Sequence, residues 1–338
     1  MRAAVLGAGR IGRVHSQQLA SEPRVDSLVI ADTDPLRAQA LADALGPVAR
    51  AATVDELFAS RPDAIVIGAP TPVHGVLLER CVALGIPTLC EKPLAKTLEE
   101  TIELVKLVEN ANAVVQVGLM RRFEPGNIRL RSMIEEAALG TVLFIRAASH
   151  DMEAPGREYA AASGGIFRDQ LIHDFDAIRW VTQQEVRRIH ATGSIRTLTY
   201  LEEFGDSEVA AVVLEMSDGV LAVVGATRQD GRGEDYRIEV VGTKDSAATG
   251  TNEHTPLLPL DATAHTLISK PYDGPTMRFS AAYAAQTEHF LSVAAGDAES
   301  RCSARDALAS VLVSLAAERS ALSGEFELVQ SPSDVLGT

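Results

Sequence analysis

The sequence predicts an α/β protein: an N-terminal doubly wound parallel sheet joined to a C-terminal α+β domain with a largely antiparallel, open sheet. Three observations predict it. Through residue 120, short and nearly unbroken apolar runs alternate with helix-period segments, the pattern of strands buried on both faces. A glycine-rich turn follows the first run directly. Beyond residue 120 strand-like runs crowd together, with a hairpin signal between two of them.

The first half places strands at Ala3–Leu6, Ser27–Ala31, Ala64–Ile67, Pro87–Cys90 and Val114–Val117. Asp34-Pro35 and Thr71-Pro72 set a capping side chain before a first-turn proline. Thr53-x-x-Glu56 and Thr97-x-x-Glu100 read as capping boxes. Strand–helix–strand repeats of this kind give right-handed βαβ units. The second half opens with a helix over Pro125–Ala138 and a strand over Val142–Ser149, then a helix over Phe167–Val181. Strands follow at Val186–Ser194, Glu208–Met216, Val220–Thr227 and Tyr236–Gly242, with Asp218-Gly219 as a hairpin turn. Residues Ala281 to Leu322 read as two helices broken at Gly296. The expected domains are therefore 1–120 and 121–338.

Composition excludes several classes. A chain of 338 residues with 46% hydrophobic content suits two ordinary domains. No apolar run reaches the ~18 residues of a membrane span, and the start, MRAAVLGAGRIG, does not read as a signal peptide. The net charge is −15; residues 1–120 hold 11 basic and 14 acidic residues and the rest 20 and 32. With no Lys/Arg cluster, nucleic acid is not an expected partner. Cys81, Cys90 and Cys302 form no CxxC, so reduced thiols and a cytoplasmic location are expected.

Gly7-Ala8-Gly9-Arg10-Ile11-Gly12 lies between a strand and a helix. Gly7 allows a tight turn, Gly9 lets the backbone approach a pyrophosphate at the helix start, and Gly12 lets the helix pack on the strand. Asp32 lies 20 residues beyond Gly12, at the end of the second strand, where a carboxylate meets ribose hydroxyls. The alternative is an incidental helix cap, but Asp34 already supplies that cap. A carboxylate at Asp32 repels a 2′-phosphate, and the next residues, Thr33 and Asp34, supply no Arg to hold one, so NAD is favoured over NADP; FAD uses a similar fingerprint.

Two segments carry candidate chemistry. Glu91-Lys92-Pro93 follows a strand whose carboxyl end faces the ligand cleft of a doubly wound sheet; otherwise Lys92 is a solvated surface lysine. Asp169 and His173 are i, i+4, and Asp176 follows three residues later. A carboxylate beside an imidazole fixes its tautomer and raises its basicity; the same spacing also suits a pair on a wet helix face. No HxH, HExxH or Cys/His set supports a metal.

These residues resemble the Gfo/Idh/MocA family of NAD(P)-dependent oxidoreductases over essentially the whole chain. GAGRIG at 7–12, APTPVH at 69–74, CEKP at 90–93, VGLMRRFEP at 117–125 and SGGIFRDQLIHDFD at 163–176 match in order. Within the family the RRF and GGIFRDxxIHDxD segments are most similar to bacterial myo-inositol 2-dehydrogenases. The resemblance implies a Rossmann domain, an α+β domain and a homo-oligomer, dimer or tetramer, formed through the C-terminal sheet. It implies cofactor contacts at Gly7, Gly9, Arg10, Ile11, Gly12, Asp32, Ala69, Pro70, Thr71, His74, Glu91, Lys92 and Arg121. The catalytic set falls on Lys92, Asp169 and His173, and substrate contacts add Arg122, Asp151, Asp176 and Tyr283. Two positions depart from the pattern: Glu234 stands where those enzymes often carry Tyr, and Thr71 where the family usually has Asn.

The expected reaction is oxidation of a secondary hydroxyl on a cyclic polyol. His173 is the general base, Asp169 orients it, and Lys92 supplies charge to the alkoxide. An acidic pocket disfavours an anionic substrate. A pyranose dehydrogenase or reductase of the same family is one alternative; a catalytically silent NAD-binding sensor is another.

Overall fold

The computed structural model describes residues 1–258, 260 and 270–337. The chain divides into two compact units, one of Met1–Phe123 with Ala281–Ala309 and the C-terminal helix, the other of Glu124–Ser280 with Ser310–Ser331. The first segment of the first unit ends at Phe123, and residues 281–309 group with it. Long-range bonds hold them there, including Val117 N–H to Cys302 O (2.9 Å) and Arg24 Nη1 to Ser292 Oγ (3.0 Å).

In the first unit β1 (Arg2–Leu6), α1 (Arg10–Ser21), β2 (Ser27–Ala31), α2 (Pro35–Leu45), β3 (Ala49–Ala51), α3 (Val54–Ala59), β4 (Ala64–Ile67), α4 (His74–Ala83), β5 (Thr88–Glu91), α5 (Leu98–Asn110) and β6 (Val115–Gly118) alternate as expected. The six strands pair in parallel in the order β3-β2-β1-β4-β5-β6. Order reverses between β1 and β4, the switch point where doubly wound sheets bind ligands. All four residues of β4 and of β5 are buried; β4 is accordingly all apolar, while β5 carries Thr88 and Glu91, both hydrogen-bonded inside the unit. The Thr53 and Thr97 capping boxes form, and Asp34 accepts from Leu36 N–H ahead of Pro35.

The cap expected at Thr71 does not form. A 3₁₀ turn spans Thr71–Val73 with Pro70 in the extended cap position and no side-chain cap bond, and α4 starts at His74. Thr71 lies inside the turn, so its hydroxyl lacks the extended geometry from which an N-cap reaches forward.

The second unit contains α6 (Pro125–Glu135), β7 (Val142–His150), α7 (Arg157–Ser163), α8 (Gly165–Asp169), α9 (Ile172–Thr182), β8 (Val186–Ser194), β9 (Val209–Met216), β10 (Leu221–Thr227), β11 (Asp235–Gly242), β12 (Ser246–Thr249) and α10 (Pro275–Arg278). Helices α11 (Ser280–Ala295) and α12 (Ala304–Ser323), strand β13 (Glu327–Leu328) and helix α13 (Pro332–Leu336) follow among the described residues. Among the described residues the sheet order is β12-β11-β7-β10-β9-β8-β13, with β7–β10 parallel and the other pairs antiparallel. Gly219, at φ +91°, closes the β9–β10 hairpin, with Asp218 Oδ1 accepting from Val220 N–H.

The helix expected over Phe167–Val181 is two helices. At Leu171 the backbone ladder slips: its N–H reaches Ile166 O, five residues back, and His173 N–H bonds only three back, to Gln170 O. The Gln170 amide is turned onto the sheet, donating to Ser149 O and Thr227 O at 2.9 and 3.0 Å. Dihedrals at Gln170 and Leu171 stay right-handed, so Asp169 and His173 remain about one turn apart across the break.

Candidate active site

The glycine turn is built as its spacing implies. Gly7 has φ +104°, and a Cβ there would stand 2.7 Å from Ala69 N and Gly68 O. A Cβ on Gly12 would stand 1.9 Å from Gly7 O, so α1 packs on the turn at a distance only glycine permits. Gly9 differs: it caps α1 at φ −74° with no side-chain cap bond, and a Cβ there would meet nothing of the protein. The space before the helix start is therefore open, and the first-turn N–H groups lack intrahelical partners. This is the cradle a pyrophosphate needs, and Gly9 and Arg10 are exposed beside it.

Asp32 stands at the end of β2. Its Oδ2 accepts from Ala8 N–H at 2.7 Å and its Oδ1 from Asp34 N–H at 2.8 Å. The carboxylate thus holds the glycine turn while keeping lone pairs for a ribose. A nicotinamide dinucleotide fits this donor and acceptor set.

The segment after β5 is anchored from below. Glu91 is buried; its Oε1 lies 2.6 Å from Nε2 of His15, which is fully buried on α1. Glu91 Oε2 accepts from Lys92 N–H at 3.3 Å. A Cβ on Gly118 would fall 2.6 Å from this carboxylate, so β6 leaves room for it. Lys92 itself is half-buried. His74, 1% exposed, faces Ala69 O and Pro93 O at 2.7 and 2.8 Å, and so ties the 69–74 segment to the residue after Lys92. Ala69 and Thr71 are half-buried and Pro70 exposed.

Arg121 is buried. Arg122 donates to Arg301 O at 2.7 Å and to Asp306 Oδ1 at 3.2 Å, bonds that fasten the 3₁₀ turn at residues 120–123 to the start of α12. Tyr283, on α11, packs edge-on against His15 with ring centroids 5.8 Å apart. His15 is not among the site residues expected from the sequence; its position three beyond Gly12, on the inward face of α1, is the signal for it.

In the second unit Asp169 is 13% exposed and both its oxygens are engaged: Tyr159 Oη donates to Oδ1 at 2.8 Å and Arg228 Nη1 to Oδ2 at 3.0 Å. His173 is half-buried near the start of α9. Asp176 is only 1% exposed, accepting from Ser310 Oγ at 3.0 Å with Arg179 Nη1 at 3.7 Å. Asp151 is half-buried just beyond β7, its N–H bonded to Thr227 O. Glu234 is buried and accepts from Met152 N–H at 3.1 Å, so it fixes the backbone next to Asp151. Among the described residues no group of His, Cys, Asp and Glu is arranged to hold a metal, and no helix is long and apolar enough to cross a membrane.

An open helix start at the switch point, beside a carboxylate fit for ribose, defines the first unit as a dinucleotide-binding domain. Residues 1–119 match the oxidoreductase family, NAD-binding Rossmann fold, and residues 128–248 match the GFO/IDH/MocA C-terminal domain. The chain belongs to the GFO/IDH/MocA family of NAD-binding oxidoreductases. It is 36% identical over 328 residues to myo-inositol dehydrogenase Hyg17 of Streptomyces leeuwenhoekii, covering 96% of this chain and 98% of that one. It is 34% identical over 322 residues to the inositol 2-dehydrogenase of Rhizobium meliloti, covering 95% and 96%. The solved structure of a myo-inositol dehydrogenase from Corynebacterium glutamicum superposes with TM-score 0.89 at 31% identity, covering 98% of this chain and 99% of that one.

Proposed function

We propose that this chain is an NAD-dependent dehydrogenase that oxidises a secondary hydroxyl of a cyclic polyol, myo-inositol or a related cyclitol, to a ketone. The observation that carries the reading is the likeness, over nearly the whole length, to relatives named as inositol dehydrogenases. The glycine turn, the α1 start and Asp32 hold the dinucleotide. Bound NAD⁺ supplies the hydride acceptor. His173 removes the hydroxyl proton as general base. Asp169 orients the imidazole and stabilises its cation. Lys92 lends positive charge to the oxygen as it becomes an alkoxide, and the His15–Glu91 pair fixes the backbone that carries it.

Half-buried Asp151 is suited to accept from further substrate hydroxyls, whereas Asp176 is already engaged by Ser310 and Arg179. A second reading is a pyranose dehydrogenase: Glu234, at a position where the inositol dehydrogenases this sequence resembles often carry Tyr, bonds the backbone next to Asp151. Self-association through the open face of the second sheet is supported by its apolar residues, among them Leu221, 46% exposed. Three buried free thiols, Cys81 pushed up to about 11 by burial, suit a reducing, cytoplasmic location.

The test is incubation of the purified protein with NAD and myo-inositol. The proposal predicts NADH in equal amount with a trappable ketone. A protein that binds NAD yet reduces none with any cyclitol or sugar is a sensor, and the proposal is then wrong.

A further inference from the structure

The carboxylate assigned to orient His173 is itself held by a device that the catalytic motif does not contain. We propose that Arg228 and Tyr159 are positioning residues for Asp169, and that Arg228 offsets its charge so that the His173 base is available at lower pH. The inference rests on the reading of His173 as general base.

Arg228 follows β10, the strand between β7 and β9, and its backbone N–H donates to Glu208 O at 2.8 Å. Its side chain is 1% exposed. One terminal nitrogen reaches Asp169; the other donates to Asp206 Oδ2 at 2.7 Å. Asp206, also 1% exposed, accepts at Oδ1 from Ile166 N–H and Ser207 N–H, both at 2.7 Å. Gly165, at φ +83°, makes room for it: a Cβ there would stand 3.1 Å from Asp206 Oδ1. Arg228 therefore clamps both ends of α8, the start through Asp206 and the end through Asp169. Tyr159, from α7, closes the second oxygen of Asp169 although its ring is 47% exposed. Burial is not what this tyrosine contributes.

A clamp for folding alone is satisfied by buried Asp206. The second arm of Arg228 goes instead to the partly open carboxylate four residues before His173. The charged and titratable groups around the guanidinium are Asp169 from α8, Asp206 from the loop before β9 and Asp151 from the end of β7, with Tyr159 on the far oxygen of Asp169. On α12, Glu318 pairs with Arg168 and feels Asp206. Burial works against the Arg228 charge, but Asp206, Asp169 and Asp151 outweigh it and hold the guanidinium above its ordinary range. One fixed cation thus stands among three carboxylates. Without it the charge of Asp169, four residues before His173, is no longer offset, so an imidazolium there is favoured and the base stays protonated to higher pH.

The test is the pH dependence of kcat/KM for myo-inositol in the parent, Tyr159→Phe, Arg228→Gln, Arg228→Lys and His173→Ala. We expect Arg228→Gln to move the acidic limb alkaline by about half a unit or more, and Arg228→Lys, which keeps the charge, to restore most of that shift. Tyr159→Phe, at an exposed ring that folding does not need, should lower kcat by about 3- to 10-fold, the equivalent of one hydrogen bond, with the KM for NAD unchanged. If Arg228→Gln does not fold, Tyr159→Phe decides. Parent-like kcat in Tyr159→Phe, or an unmoved limb in a folded Arg228→Gln, overturns the proposal. If instead His173→Ala keeps the limb, the assignment of the base has failed first.

Discussion

Gly9 and Gly12 share one motif, yet the structure gives them separate duties that alanine substitution separates. In Gly12→Ala the new Cβ would stand 1.9 Å from Gly7 O, where ordinary contact begins at 3.4 Å. The helix and turn must part by the difference, about 1.5 Å, and both sides of that contact are backbone. Overpacking of this kind costs about 1–3 kcal/mol, and rigid neighbours put it at the upper end. For a unit of this size that lowers Tm by roughly 5–10 °C. In Gly9→Ala the Cβ meets nothing within 4 Å, and φ −74° suits alanine. The loss of glycine at the cap costs under about 1 kcal/mol. The same Cβ, however, occupies the space the pyrophosphate needs, so NAD binding should weaken at least tenfold, about 1.4 kcal/mol. The assay pairs thermal melting without cofactor with calorimetric titration of NAD. Gly12→Ala should melt low; Gly9→Ala should melt near the parent and bind NAD poorly. Parent-like NAD affinity in Gly9→Ala would mean that the open space at Gly9 is not the cofactor's.

Asp32→Ser with Thr33→Arg should shift preference from NAD toward NADP, measured as the ratio of kcat/KM values; a parent enzyme already faster with NADP contradicts the role given to Asp32. His173→Ala should lower kcat by ~10²–10⁴-fold and Lys92→Ala comparably, with non-additive losses in the double variant and NAD affinity retained in His173→Ala; near-normal turnover in His173→Ala places the proton acceptor elsewhere. Burial pushes the Glu208 carboxyl up, but hydrogen bonds from the Thr197 hydroxyl and the N–H groups of Thr197, Leu198 and Arg196 outweigh it and hold it at about 2. Its folded value lies below the ordinary 4.5, so its stabilisation is full above that pH and disappears as pH falls toward 2. Urea midpoints at pH 6 and pH 3 should therefore converge between parent and Glu208→Gln as pH falls; a constant gap contradicts this.

What could be read in the sequence was local. The glycine turn, the capping boxes and the buried strands β1, β2 and β4 follow from neighbours in the chain. Strand β3, Ala49–Ala51, has no apolar run because it lies at the sheet edge, half-exposed. Strands β12 and β13 are likewise short edges. The break between α8 and α9 depends on Gln170 reaching carbonyls of two other strands, which no helical period records. The clamp on Asp169 was hidden for the same reason: Arg228 lies 59 residues from Asp169 and 22 from Asp206. The return of residues 281–309 to the first unit rests on bonds such as Arg24–Ser292, 268 residues apart.

Everything proposed for this site turns on a cyclitol being the substrate. The direct measurement is kcat/KM with saturating NAD for myo-inositol, its isomers and a set of pyranoses, on one preparation of the protein. The best cyclitol should lead every pyranose by at least tenfold, about 1.4 kcal/mol of transition-state discrimination. A pyranose leading every cyclitol by the same factor would contradict it and make Glu234 the mark of a sugar dehydrogenase.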